Sequence, residues 1–192
     1  MVSFNIEKIA NAIIYFVNND VESLGKTKLM KLLFYTDKYH LENFGRAVFG
    51  DAYYKLPQGP VPTITLNVIN SLNESEKDDF SEYGEVFSKY VKTEETEQPH
   101  RYKAMKFIPQ SEFNEKLFSK SELKVMDDVI AKFKDYTARQ ISDESHETPE
   151  YQEAYDTGII SEESMSGKNK DYVEYWKKEH NAFDSILHEQ AV

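Results

Sequence analysis

Lys28-Leu-Met-Lys-Leu-Leu-Phe-Tyr-Thr-Asp-Lys-Tyr-His-Leu-Glu-Asn-Phe-Gly-Arg-Ala-Val-Phe-Gly-Asp-Ala-Tyr-Tyr-Lys-Leu-Pro-Gln-Gly-Pro-Val-Pro62 is the stretch around which the chain is organised. Its first half has helical spacing. Leu29, Leu33, Asp37, His40 and Phe44 recur at steps of three or four and so share one face. Leu29, Leu33 and Phe44 mark that face as the buried one. Asp37 and His40 then lie on an apolar stripe, where a carboxylate or imidazole needs a partner. Gly45 is placed to close the helix with a left-handed cap. Gly50-Asp51 reads as a turn, and Ala52 to Leu56 as a short aromatic strand. Gln58 to Pro62 follows. Its two prolines delete two backbone donors and bias Gly59 and Val61 to extended geometry, so it reads as a stiff, shaped loop.

Outward from this stretch the chain alternates helical patterns with short breaks. Asn5 is placed to cap a helix carrying Ile6, Ile9, Ala10, Ile13, Ile14 and Val17. Thr27 and Thr63 are candidate caps for the next two helices. Tyr83 to Val91 fits either a strand or a helix edge. Thr93 to His100, rich in Glu, reads as an exposed loop. Arg101 to Ile108 reads as a strand ending at Pro109 and suited to pair with Ala52 to Leu56. Ser119 with Glu122, and Thr137 with Gln140, have capping-box spacing and open two further helices. Tyr151 to Tyr155 is expected to be helical, and Gly158 to Lys170 a loop. A last helix is expected over Asp171 to Leu187, with a broad aromatic face from Tyr172, Tyr175, Trp176, Phe183, Ile186 and Leu187. The expected fold is α+β: a mainly helical single domain with a small antiparallel sheet packed on the helices. Residues 1–167 form the domain and residues 168–192 its C-terminal helical extension.

Composition narrows the function. The 192 residues carry 34 acidic against 23 basic side chains, a net charge of −11. That balance repels a phosphate backbone and disfavours nucleic-acid binding, while a basic partner is attracted. The absence of cysteine excludes disulfides, thiolate metal sites and a cysteine nucleophile. No apolar run approaches membrane-spanning length and no leader pattern opens the chain, so a cytoplasmic protein without membrane partners is expected. The 13 tyrosines suit either core edges or contact surfaces.

Candidate chemistry is sparse. Asp37 with His40, and Asp143 with His146, repeat one i, i+3 spacing. Two such pairs meeting would make a divalent metal site of a hydrolase; the alternative is a hydrogen-bond network tying helices together. Ser142 and Ser145 lie near His146, but no nucleophile elbow surrounds them, and helix capping explains them more simply. Gly59-Pro60-Val61-Pro62 lacks the free donors of a phosphate cradle. No cofactor, resident metal or catalytic set is expected.

Lys28 to Gly45, Phe49-Gly-Asp-Ala-Tyr-Tyr54, Gln58-Gly-Pro-Val-Pro62 and Ile141 to His146, in this order and spacing, resemble the blocks of the Panacea-domain, SocA-like antitoxin family over roughly residues 5–160. The resemblance implies an antitoxin that neutralises a cognate toxin by direct contact, with a protease adaptor as the related alternative; a homodimer is the further partner that the aromatic C-terminal helix keeps open. It assigns Lys31, Asp37, His40, Gly45, Gly50, Asp51, Tyr53, Gly59, Pro60, Val61, Pro62, Ser142 and His146 to the family motif, as scaffold first and partner surface second. Pro57-Gln58 stands where the family often has Lys or Tyr, and Tyr151 where it often has Trp. The aromatic C-terminal helix, with Tyr175 and Trp176, lies outside the resemblance and is the candidate for partner-specific contact or self-association.

Overall fold

A computed structural model describes residues 4–72, 79–98 and 102–189. Nine helices and five strands are found among them. α1 (Ile6–Asn18) and α2 (Lys26–Phe44) are followed by a hairpin of β1 (Tyr53–Leu56) and β2 (Gly59–Pro62). Then come α3 (Thr63–Ser71), α4 (Ser81–Ser88), β3 (Val91–Gln98) and β4 (Tyr102–Pro109). The chain ends with α5 (Lys120–Phe133), α6 (Ala138–His146), α7 (Pro149–Glu153), β5 (Ile159–Ile160), α8 (Glu162–Met165) and α9 (Lys170–Glu189). The fold is α+β and mainly helical, with small antiparallel sheets.

α2 is the axis of the core. Every residue from Lys28 to Asp37 is buried, including both lysines. A helix enclosed on all sides needs neighbours all round; α5, α6, α8 and β2 provide them. α1 contributes Ile6, Ile9, Ala10, Ile13, Ile14 and Phe16 to the same core, and Asn5 caps it by accepting from the Lys8 amide at 2.9 Å. Val17, expected on the stripe, is only half-buried. Both capping boxes form, Ser119 with Glu122 on α5 and Thr137 with Gln140 on α6. Gly45 ends α2 in the left-handed conformation, φ 70°.

Several local readings are corrected. Phe44 is 40% exposed, because α2 runs past the edge of the core in its last turn. α2 begins at Lys26 with Gly25 as its cap, not Thr27. Gln58 to Pro62 is no free loop: Gly59–Pro62 is an outer strand paired with β1. Prolines two apart leave both missing donors on one side of that strand, where no ladder partner is required. β4 pairs with β3, not with β1. The reason is occupancy, since β1 already has β2 on one side and β5 on the other. The segment read as an exposed loop from Thr93 is β3 over its described part, to Gln98. Its Glu94 and Glu95 face solvent while the ladder to β4 satisfies the backbone. Tyr83 to Val91 resolves into the rest of α4, a turn at Lys89 and Tyr90, and the first residue of β3. Residues 158–170 contain β5, α8 and a 3-10 turn, Gly167–Asn169.

Candidate functional site

The motif residues converge on the far half of α2 and on the hairpin packed against it. Asp37 is fully buried. Its Oδ1 accepts the amides of Val48 and Phe49 at 2.5 and 3.1 Å, and its Oδ2 accepts the Tyr53 hydroxyl at 2.8 Å. Burial pushes the carboxyl up to about 7, against the pull of those three bonds. Asp37 thus fastens the loop after α2, and β1 beyond it, to the helix.

His40 faces other neighbours. Nδ1 lies 2.7 Å from the Arg46 carbonyl and Nε2 3.1 Å from the Ser121 hydroxyl. A carbonyl can only accept, so Nδ1 carries the proton and Nε2 accepts from Ser121. Burial lowers the pKa of the ring and favours the neutral form. His40 therefore joins the end of α2 to the start of α5.

Asp51 acts as a remote helix cap. It accepts the amides of Ala52, Ile64 and Thr65 and the Thr65 hydroxyl, at 2.6 to 3.1 Å. Burial raises its pKa, with the hydrogen bonds opposing. The expected cap, Thr63, is instead the first residue of α3 and makes no such bond to it.

The hairpin is held at three alternate carbonyls. The Tyr151 hydroxyl donates to Leu56 O at 2.8 Å, Ser142 Oγ to Gln58 O at 2.5 Å, and Lys31 Nζ to Pro60 O at 2.8 Å. These come from α7, α6 and α2 in turn. Gly59 has φ 100°, and a Cβ on it would stand 2.4 Å from Ser145 Oγ and 2.9 Å from Lys31 Cε. Only glycine satisfies both demands. Val61 is buried between Pro60 and Pro62 in the same strand. Lys31 is wholly buried, and desolvation lowers its ammonium to about 7. Sequence reading placed Lys31 in the motif without its role. The signal was available, since a lysine flanked by Met30 and Leu32 in an all-apolar turn needs an acceptor. Lys28 was missed altogether; its Nζ donates to the carbonyls of Glu22 and Lys134, each at 2.6 Å.

The four Asp and His residues do not assemble. Asp37 and His40 are used as above. Asp143 is exposed, 3.7 Å from Arg139. His146 stacks on Tyr151 with ring centres 4.8 Å apart. Among the described residues no group of three or more metal-ligating side chains occurs. Ser142 and Ser145 donate to backbone carbonyls, and Ser145 is enclosed. The geometry is that of a network tying helices to a hairpin.

Tyr175 and Trp176 lie elsewhere, on the first half of α9, with exposures of 54% and 40%. Their rings meet edge-on at 5.7 Å. The side chains of Phe183, Ile186 and Leu187 lie outside those described. No helix among the described residues is long and apolar enough to cross a membrane. Residues 29–152 match the family model of the antitoxin SocA-like Panacea domain. No curated protein and no solved structure significantly matches the chain.

Proposed function

We propose that this chain, which belongs to the SocA-like antitoxin family with a Panacea domain, is the antitoxin of a toxin–antitoxin pair and neutralises its toxin by direct protein contact. The observation that carries the reading is the family match over residues 29–152. The geometry agrees with it in one respect. The polar motif residues are consumed by internal bonds: Asp37 by three, Asp51 by four and His40 by two. Groups so occupied hold a shape and are poorly placed to turn over a substrate. The motif then serves as scaffold, and recognition falls to the exposed surface around it.

On this reading the protein works in the cytoplasm, needs no cofactor, and carries residues 168–192 as a helical extension of the antitoxin domain. The net charge of −11 favours a basic toxin surface and speeds its encounter. The test is co-purification: a tagged copy of this chain, expressed with the product of the adjacent reading frame, is expected to bring that product through size exclusion in a stable complex. Separate elution of the two chains, with the adjacent product still toxic, would refute direct contact.

A further inference from the structure

α9 rests on the molecule along a narrow seam. Within its described side chains, from Lys170 to Glu179, Val173 is the buried one. Lys177 is ion-paired with Glu162 and Glu163, and Asn169, just ahead of the helix, donates to the Glu42 carbonyl. The seam lies against the end of α2. A Cβ at Gly45 would fall 2.5 Å from Cβ of Tyr172 and 3.3 Å from the Trp176 ring. Tyr172 and Trp176 therefore stand at the Gly45 cap, which Phe44 precedes in the chain, and Tyr175 stands beside Trp176. Their exposures are 60%, 40%, 40% and 54% in the order Tyr172, Trp176, Phe44, Tyr175. Among the described residues these are four of the seven large hydrophobic side chains left exposed. Concentration of that kind marks a contact surface, whereas scattered exposure does not.

The ground under the rings is acidic. Lys38 is paired with both Glu42 and Glu150, and Lys177 with both Glu162 and Glu163, so each cation meets two carboxylates. The exposed charges of the first half of α9 and the turn before it balance: Asp171, Glu174 and Glu179 against Lys168, Lys170 and Lys178. Arg46, next to Gly45, meets Glu122 at 4.0 Å, a carboxylate already paired with Lys8, so with these groups counted the excess is a single negative charge, of the same sign as the whole chain. A second copy of net charge −11 is repelled from such a surface. A cationic segment is attracted, and tyrosine and tryptophan faces receive arginine and lysine side chains well.

We propose that Phe44, Tyr172, Tyr175 and Trp176 form the docking surface for the toxin, and that the toxin segment received there is basic, with arginine or lysine set on the aromatic faces. This assignment rests on the antitoxin reading and adds the place and the chemistry of contact. It also places three of the four rings outside residues 29–152, the part shared with the family, with Phe44 alone inside it.

Trp176 is the only tryptophan in the chain, so a single 5-fluorotryptophan label reports this surface and nothing else. The probe is the purified product of the adjacent reading frame. Its addition is expected to move the one fluorine resonance. Tyr172→Ala and Tyr175→Ala are expected to weaken binding at least tenfold each, while Tyr155→Ala, still more exposed at 89% and not one of the four rings, leaves it unchanged. Tyr172→Ala keeps the Cβ that lies against Gly45. Affinity is expected to fall as salt rises. Wild-type binding with an unmoved resonance and unaffected Tyr172→Ala and Tyr175→Ala variants overturns the surface while leaving the antitoxin reading intact. A resonance that moves with concentration of the free chain overturns it in favour of a second copy. Failure of the wild-type chain to bind the adjacent product at all overturns the antitoxin reading and the assignment with it.

Discussion

Replacing Lys31 with Met tests the most unusual feature of the interior, a buried ammonium with a single acceptor. In the folded protein the amine titrates at about 7, against 10.5 for the free side chain. At about 1.4 kcal/mol per pKa unit, holding the charged form inside costs roughly 5 kcal/mol wherever both states are protonated. The sign follows from proton counts. Between pH 7 and 10.5 the unfolded chain binds the extra proton, so the stability of the wild type rises with pH across that window. By about pH 9 the penalty has shrunk to roughly 2 kcal/mol. Met fills a similar volume and removes the charge, but leaves Pro60 O without its 2.8 Å donor, a loss of about 1–3 kcal/mol at any pH. Lys31→Met is therefore expected to be more stable than wild type by about 2–4 kcal/mol near pH 6, and to differ little from it near pH 9. Urea unfolding at both pH values measures the gap. A gap that stays constant, or widens with pH, would refute the reasoning, because the amine would then not be titrating inside the fold.

Three further outcomes follow from the same network. Tyr53→Phe strips Asp37 Oδ2 of its partner and should lower stability by about 1–3 kcal/mol. Because the raised Asp37 pKa means the folded state loses stability as pH climbs towards 7, the loss should be larger at about pH 8 than at about pH 5; equal losses would contradict a carboxylate role. Gly59→Ala meets both the positive φ and Ser145 Oγ at 2.4 Å and should destabilise by at least about 2 kcal/mol. Adding Ser145→Ala should recover part of that, and thermal melts of the single and double variants decide it. Asp51→Ala removes the acceptor of three amides and should cost about 1–2 kcal/mol, with faster amide exchange at Ile64 and Thr65; unchanged exchange there would argue against remote capping.

The sequence was most informative where the physics is local. Gly45, Asn5, Ser119 with Glu122, and Thr137 with Gln140 act within one turn of themselves, and all were read correctly. Asp51 was placed in the motif, but its capping of α3 spans thirteen positions from Asp51 to Ile64 and has no local signature. β3 was hidden for a related reason. Its glutamates give it the composition of a loop, and only the ladder to β4, a tertiary fact, makes it a strand. The Gly-Pro-Val-Pro segment was read as stiff, which holds, but its pairing to β1 depends on prolines facing an open edge. Lys28 and Lys31 illustrate a different limit. A lysine is read as a surface residue by default, and what lets these two be buried is backbone carbonyls from the segment between α1 and α2, the C-terminal cap of α5, and β2. The Asp37/His40 pair was legible as polar groups needing partners. Which partners they take depends on residues beyond their own helix: Val48, Phe49 and Tyr53 for Asp37, and Arg46 and Ser121 for His40.

The central claim is stoichiometric neutralisation by contact, and a growth titration reaches it most directly. The adjacent reading frame is induced at a fixed level while this chain is supplied at increasing amounts, with both quantified in the same cells. Growth is expected to stop without this chain and to recover only once it reaches at least the amount of the induced product. Absence of toxicity, or absence of rescue at any ratio, would contradict the antitoxin assignment. Recovery at a small fraction of the toxin amount would contradict neutralisation by simple binding and point instead to delivery or turnover of the toxin.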